Sequence, residues 1–218
     1  LKGGLAVAIA RAFERLCYRS STTVVALSPG MAEAVKAAAP GAQVVTIPNA
    51  ADLDLFHPGH AVPDALRAQA DGKFVALYAG TLGRANSSTE LVDIAAELQR
   101  RGANDVRIVV VGDGHERAGM ERLARERGLA NLEFAGVRPK TEVAAWHEVA
   151  DVTLCLFKPF PVLATCSPNK LFDSLAAGRP VLNNTDGWIR DLLARAGCGL
   201  SFRAGDASGA ADAILALR

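Results

Sequence analysis

Short runs of β-branched and aliphatic residues alternate with stretches of helical periodicity along almost the whole chain. That alternation is the pattern of βαβ units, which build a parallel sheet covered by helices. It predicts strands over residues 23–28, 44–48, 74–80, 106–112, 132–136, 152–157 and 180–183, with a last short one at 199–202. The run Val106-Arg107-Ile108-Val109-Val110-Val111 hardly alternates, as suits a strand buried on both faces. Helices are predicted between the strands, roughly over 5–18, 30–39, 88–101, 116–128, 141–149, 168–177, 187–195 and 207–217.

The rhythm breaks over 49–63, where Asn49, Asp52, Asp54, Pro58, Gly59 and Pro63 leave little periodicity. Such a stretch reads as a linker. Residues 1–49 then hold a helix, a strand, a helix and a strand, too few to close a core. Residues 50–63 form the linker, and 64–218 hold enough elements for a doubly wound domain. The expected fold class is therefore α/β with a doubly wound parallel sheet. The chain opens on Leu1-Lys2-Gly3-Gly4 without a methionine and stops in mid-pattern at Leu217-Arg218, which reads as a piece of a longer protein.

Composition narrows the class. Half of the 218 residues are hydrophobic and 22% are charged, which excludes a disordered chain. A net charge of +1 gives no reason to expect nucleic acid as a partner. Cys17, Cys155, Cys166 and Cys198 stand far apart without C-x-x-C spacing, so buried free thiols in a reducing compartment are expected rather than a zinc knuckle. His57, His60, His115 and His147 show no metal-ligand spacing, and His147-Glu148 reads as a solvated helix face. Trp146 and Asp151 read as structural. The apolar runs fall short of the ~20 residues that cross a bilayer, and a cytoplasmic protein is expected. The first helix carries Leu5, Ile9, Phe13 and Leu16 along one stripe, with Arg11, Arg15 and Arg19 elsewhere. That stripe could pack on another domain or touch anionic lipid at the inner face of a membrane.

Four strand exits could carry chemistry. The first is Gly80-Thr81-Leu82-Gly83-Arg84-Ala85-Asn86-Ser87, where two glycines, an arginine and the capping-box pair Ser87 and Glu90 coincide. Exposed amides, a helix N-terminus and a cation make an anion site; an ordinary capped βα loop is the plain alternative. The second is Ser167-Pro168-Asn169-Lys170-Leu171-Phe172-Asp173. Ser167 is a natural N-cap and Pro168 a natural first helical residue. Lys170 then falls in the first turn, against the helix dipole, which makes sense if an anion such as a diphosphate sits there. Asp173 lies on the same helix face as Asn169 and could hold a ribose diol; a capped surface helix is the alternative. The third exit, Val110-Val111-Gly112-Asp113-Gly114, is weak alone because it lacks a full G-x-G-x-x-G. The fourth is Phe134-Ala135-Gly136-Val137-Arg138-Pro139, where backbone groups of Val137 and Arg138 could read a base edge or merely turn. All four lie at the strand ends where open α/β sheets bind ligands, which suggests a nucleotide or sugar-nucleotide site within 73–185.

These motifs, followed by Ala176-Ala177-Gly178-Arg179-Pro180-Val181, resemble family 4 retaining glycosyltransferases of the GT-B fold. The flavour is that of the branch building bacterial surface polysaccharides, including transferases for N-acetyl-fucosamine. Val24 to Met31 and Ile47 to Asp52 resemble the end of the acceptor-side domain and the crossover from it. The resemblance implies a Rossmann-like donor domain at 64–218, a C-terminal remnant of the acceptor-side domain at 1–49, and a nucleotide-sugar donor, UDP-linked by family habit with GDP next. It implies a glycan or lipid-linked acceptor, retention at the transferred carbon, and no metal or other cofactor. Gly80, Thr81, Gly83, Arg84 and Asn86 would contact the donor phosphates, Val137 and Arg138 would lie by the base, and Gly112 and Thr165 would belong to the donor site as well. Ser167, Asn169, Lys170 and Leu171 would cap the diphosphate, and Asp173 would hold the ribose. Two departures stand out. The family pairs two glutamates where this chain has Thr165 and Asp173, so a carboxylate near the transferred sugar is lost. Asn86 stands where a phosphate-binding lysine is usual, leaving Arg84 or Lys170 to supply the charge. No catalytic residue is assigned. Without the rest of the acceptor-side domain, the fragment is expected to turn over little. The rival expectations are a sugar-nucleotide 2-epimerase and a non-catalytic nucleotide-sugar-binding module.

Overall fold

The computed structural model describes residues 4–218. It forms two compact units. One holds the chain up to Asn49 and takes back Thr165–Ser167; the other holds Ala50–Ala164 and Pro168–Arg218.

The first unit comprises α1 (Leu5–Ser20), β1 (Val24–Ala26), α2 (Pro29–Ala38) and β2 (Val44–Thr46). β1 and β2 pair in parallel, with Val24 opposite Val44. α2 begins at a strong local signal: Ser28 accepts the Met31 N–H at 3.1 Å, and Pro29 follows with no N–H to satisfy. The buried Ser28 hydroxyl also donates to the Thr165 carbonyl at 2.5 Å. Asn49 donates its backbone N–H to Ser167 Oγ at 3.2 Å and its side-chain amide to Ser167 O at 2.5 Å. These bonds explain why a tripeptide so distant in sequence belongs to this unit. No described residue of α1 is buried; Leu5, Ile9, Phe13 and Leu16 are 59–78% exposed.

The second unit contains α3 (Asp64–Ala70), β3 (Phe74–Ala79), α4 (Glu90–Arg100), β4 (Val106–Val111), α5 (Arg117–Glu126), β5 (Leu132–Gly136), α6 (Lys140–Val149) and β6 (Val152–Cys155). After a 3-10 turn at Pro161–Thr165 come α7 (Asn169–Ala176), β7 (Val181–Asn183), α8 (Trp188–Ala196), β8 (Gly199–Ser201) and α9 (Ala207–Leu217). Its six parallel strands lie in the order β5-β4-β3-β6-β7-β8. Strand order therefore reverses between β3 and β6, the switch point at which doubly wound sheets open a crevice. The ladder between those two strands covers only Ala76–Val152 and Leu77–Thr153, whereas β3 and β4 pair over six residues.

Alternation along β3 sorts the core. Ala76 and Tyr78 face α4, α5 and α9, together with Leu91, Ile94, Ile108, Met120 and Ile214. Val75 and Leu77 face the other side, with Val109 and Trp146 of α6. On that same side α7 and α8 bury Leu171, Ile189 and Leu193 against Cys155 and Val181.

All eight predicted strands and all eight predicted helices are present, the strands mostly shorter at their carboxyl ends. Three expectations need correction. The short helix α3 sits where no helix was predicted, held by Leu66 and Ala70 against the sheet. The segment 50–63 is not a free connector: Phe56 is 1% exposed and meets the His147 ring edge-on at 5.2 Å. His147 is consequently buried, its Nδ1 2.8 Å from Val143 O, and burial pushes its pKa below the ordinary histidine value. His147-Glu148 is thus no solvated face, and Glu148 pairs with Arg179 at 3.0 Å. Asp151 is structural, accepting the Val75 N–H at 2.7 Å. All four cysteines are free thiols, but only Cys155 is buried and Cys17 is exposed. No helix of the described residues is long and apolar enough to cross a membrane.

Candidate functional site

The exits of β3, β4 and β5 are knitted together beyond the strands. Gly80 N–H donates to Val111 O, Leu82 N–H to Asp113 O and Gly112 N–H to Gly136 O, each at 2.9 Å. Two of the amides in the Gly80 loop are thereby consumed by the protein and are not exposed donors. The glycines are required by this packing. A Cβ on Gly112 would lie 2.0 Å from Gly80 O, and one on Gly114 would lie 2.1 Å from Leu82 O. Gly112 therefore serves to seat the Gly80 loop rather than to offer a surface of its own.

At the switch point, Lys170 from α7 reaches across the strand ends. Its ammonium lies 4.6 Å from the Tyr78 ring centroid and 5.1 Å from that of Phe157. It donates to Asn86 Oδ1 at 3.0 Å and to Tyr78 OH at 3.3 Å. Lys170 comes from the helix layer on one side of the sheet and Tyr78 packs on the other, so only a side chain passing over the strand ends can join them. No carboxylate partners Lys170 among the described residues, and burial pushes its amine below the ordinary lysine pKa. Lys158, by contrast, is neutralised by Glu116 at 3.0 Å. A partly buried cation without a counter-ion is costly to the fold, which is why such groups mark binding sites.

The remaining predicted residues distribute unevenly. One turn along α7 from Asn169, Asp173 is partly buried and its carboxylate accepts no hydrogen bond among the described residues. Burial raises its pKa and nearby Asp52 adds to the rise, against the lowering influence of Lys140. Asn169 is exposed. Leu171 is 0% exposed within the apolar core, so its side chain has no contact to offer a ligand. Thr81 and Arg84 are exposed in the loop, and Arg84 makes no ion pair among the described residues. Gly83 turns the chain, accepting the Asn86 N–H at 3.0 Å. Val137 and Arg138 project into solvent past β5, with Arg138 3.9 Å from Glu142. Thr165 and Ser167 fall in the first unit, held there by Ser28 and Asn49.

Two capping expectations are corrected. α7 has Pro168 rather than Ser167 at its N-cap, because Ser167 Oγ is taken by the Asn49 N–H. α4 starts at Glu90 with Thr89 at its N-cap and no side-chain cap; Ser88 instead donates to Glu116 at 2.5 Å. Glu90 itself is buried and accepts from Asn184 Nδ2 at 2.8 Å and from the Gly205 N–H. That network, which binds α4 to the loops after β7 and β8, is absent from the sequence-based expectations, as is the role of Tyr78. A cavity of about 750 Å³ opens beside it, lined by Lys158, Phe160, Asn184, Thr185, Arg190 and Arg203. It shares a wall with the Gly80 loop, since Lys158 N–H donates to Ala85 O at 3.0 Å. No group of three or more His, Cys, Asp or Glu side chains could hold a metal among the described residues.

A doubly wound parallel sheet, with a cation that has no carboxylate partner at its switch point, is the α/β arrangement in which ligands bind at the carboxyl ends of the strands. The profile of the family described as "Glycosyl transferases group 1" matches residues 73–218, and the chain belongs to that family. It is 29% identical over 182 residues to the putative colanic acid biosynthesis glycosyl transferase WcaI of Escherichia coli K12, covering 81% of this chain and 44% of that one. It is 27% identical over 191 residues to the 2-deoxystreptamine glucosyltransferase of Streptomyces kanamyceticus, covering 84% and 48%. The chain thus spans about half the length of these relatives. Among solved structures it is similar to Anabaena HepE in complex with UDP and glucose, with a TM-score of 0.73 at 19% identity over 97% of this chain and 58% of that one. The fold is accordingly the Rossmann-like one of GT-B glycosyltransferases.

Proposed function

We propose that this chain binds the nucleotide-sugar donor of a glycosyltransferase and supplies the donor-side half of its active site. The observation that carries the reading is the Lys170 ammonium, held at the switch point with no carboxylate partner and one helical turn from the unpartnered carboxylate of Asp173. In this reading residues 64–218 form the donor domain, 50–63 the connection and 1–49 the end of the acceptor-side domain. The donor diphosphate lies against Lys170, with Arg84, Thr81 and Asn169 at its edge, and Asp173 accepts the ribose hydroxyls.

The chemistry follows from the charge. When the sugar leaves, negative charge builds on the phosphate oxygen that was bonded to it. A cation fixed beforehand at that oxygen lowers the barrier without reorganisation at the moment of reaction. A lysine fills the role that a metal would otherwise take, so no cofactor is invoked. The uracil nucleotide is favoured because HepE, which shares the fold, binds UDP and glucose. The acceptor is a glycan or lipid-linked sugar, by the likeness to a colanic acid transferase. Transfer with retention belongs to the same proposal, on the resemblance to retaining glycosyltransferases alone. The setting is the cytoplasm, with the open stripe of α1 as the point of any contact with the inner membrane face.

Calorimetric titration of the chain with UDP, GDP and ADP tests the donor half. One nucleotide should bind saturably, and Asp173→Ala should weaken it by about tenfold or more, about 1.4 kcal/mol. Absence of binding by the folded chain would sink the proposal. The 218 residues alone should show no sugar transfer in a radiolabelled-donor assay, because one wall of a cleft neither excludes water nor positions two substrates. Binding without turnover in a longer chain that includes the whole acceptor-side domain would favour a non-catalytic module instead.

A further inference from the structure

We infer that Asn86 and Tyr78 are positioning residues that present the Lys170 ammonium to the terminal phosphate of a nucleoside diphosphate, with the Thr81 carbonyl fixing the direction of both. The inference rests on the donor reading above and concerns what makes the lysine fit for it.

The argument is one of hydrogen-bond direction. Thr81 O accepts from Tyr78 OH at 2.9 Å and from Asn86 Nδ2 at 2.9 Å. A phenol has one proton, and here it is spent on Thr81; towards Lys170 the Tyr78 oxygen can only accept. An amide whose Nδ2 is spent on Thr81 must turn its Oδ1 to Lys170. The flipped amide would set oxygen against the Thr81 carbonyl and NH₂ against the ammonium, two repulsions in place of two bonds. Both groups therefore face Lys170 as neutral acceptors, and one backbone carbonyl holds them so.

Neutral acceptors direct an ammonium without cancelling its charge. The Tyr78 and Phe157 rings add a further attraction that also leaves the charge intact. Of the three N–H donors of Lys170, two go to Tyr78 and Asn86 and the third remains for a ligand. Gly80 keeps that approach clear, since a Cβ there would stand 3.4 Å from Nζ. The pair Lys158 and Glu116 shows the other arrangement, in which a lysine whose backbone N–H is bonded to Ala85 of the same loop is neutralised and structural.

The test compares UDP with UMP, which lacks the terminal phosphate, by calorimetry on the 218-residue chain. Wild type should prefer UDP. Asn86→Asp sets a carboxylate where Oδ1 was and neutralises the cation. UDP affinity should fall about tenfold or more with UMP affinity unchanged, while in the melting temperature the new ion pair with Lys170 offsets the lost bond to Thr81. Tyr78→Phe, which keeps the ring but loses the oxygen, should lower the UDP over UMP preference about threefold to tenfold. If Lys170→Met erases the preference while Asn86→Asp and Tyr78→Phe leave it intact, the donor reading stands and the positioning inference falls. If Lys170→Met also leaves it intact, or wild type never prefers UDP, both fall. Should Tyr78→Phe unfold the chain, Asn86→Asp decides alone, because Asn86 lies in a partly exposed loop.

Discussion

Lys170→Met should raise the stability of the protein and abolish its preference for a nucleoside diphosphate. The two effects have one cause. The ammonium is held among Tyr78, Phe157 and Asn86 with no counter-ion, and burial lowers its pKa in the folded state. The unfolded chain therefore binds more protons than the folded one at pH values between the lowered folded pKa and the ordinary lysine value, and stability rises with pH through that window. Below it the lysine is charged in both states and the full cost of burying the charge is present. Methionine keeps an unbranched stem and adds favourable sulfur contacts with the two rings. The gain should be about 1–3 kcal/mol near neutral pH, or a rise of about 2–4 °C for each kcal/mol in a chain of this size. The gap to wild type should narrow as the pH approaches the ordinary lysine range. Thermal unfolding at pH 7 and pH 10 with UDP and UMP titrations reads both effects. A variant no more stable than wild type would show that the fold tolerates the cation without cost, and retained discrimination would remove Lys170 from the site.

That trade was half legible in the sequence. A lysine in the first turn of a helix opposes the dipole, and this local conflict pointed to an anion before any partner of the lysine was known. The strands were legible because most are buried on both faces and read as continuous apolar runs. What one dimension conceals is pairing at a distance. Tyr78 is an aromatic residue in a buried strand and reads as core, which it is, apart from one hydroxyl that turns to Thr81 and Lys170. Glu90 reads as the acidic member of a capping box, yet it is buried and also binds Asn184 and Gly205 in the loops after β7 and β8. Ser167 reads as an N-cap, but a competing donor from Asn49 takes its oxygen. His147 reads as solvated because nothing local says that Phe56, ninety residues earlier in the chain, folds over it. In each case a sound local rule met a tertiary partner that outbid it.

Gly112→Ala should be the most destabilising single-methyl change in the loops at the carboxyl edge of the sheet. Gly112 has φ +141°, and its new Cβ would lie 2.0 Å from the Gly80 carbonyl oxygen, which is backbone and cannot swing aside. The β3 and β4 exits would have to part, breaking the Gly80 to Val111 and Gly112 to Gly136 hydrogen bonds that hold them. A loss of about 3–5 kcal/mol is expected, at the upper end for point substitutions. Gly114→Ala separates the two causes, since its Cβ would lie 2.1 Å from Leu82 O while its backbone lies outside the left-handed region. If overlap dominates, both variants lose comparable stability; if backbone strain dominates, Gly114→Ala is mild. Gly119→Ala is the control within the same stretch, because a Cβ there meets nothing within 4 Å and α5 is helical. It should stabilise by about 0.5–1 kcal/mol. Denaturant unfolding of the three variants measures the differences directly. Because Thr81 and Asn86 are carried on the loop that Gly112 seats, UDP discrimination should weaken in Gly112→Ala under conditions where it is still folded. Unimpaired discrimination there would mean that the Thr81 cradle holds its geometry without support from β4.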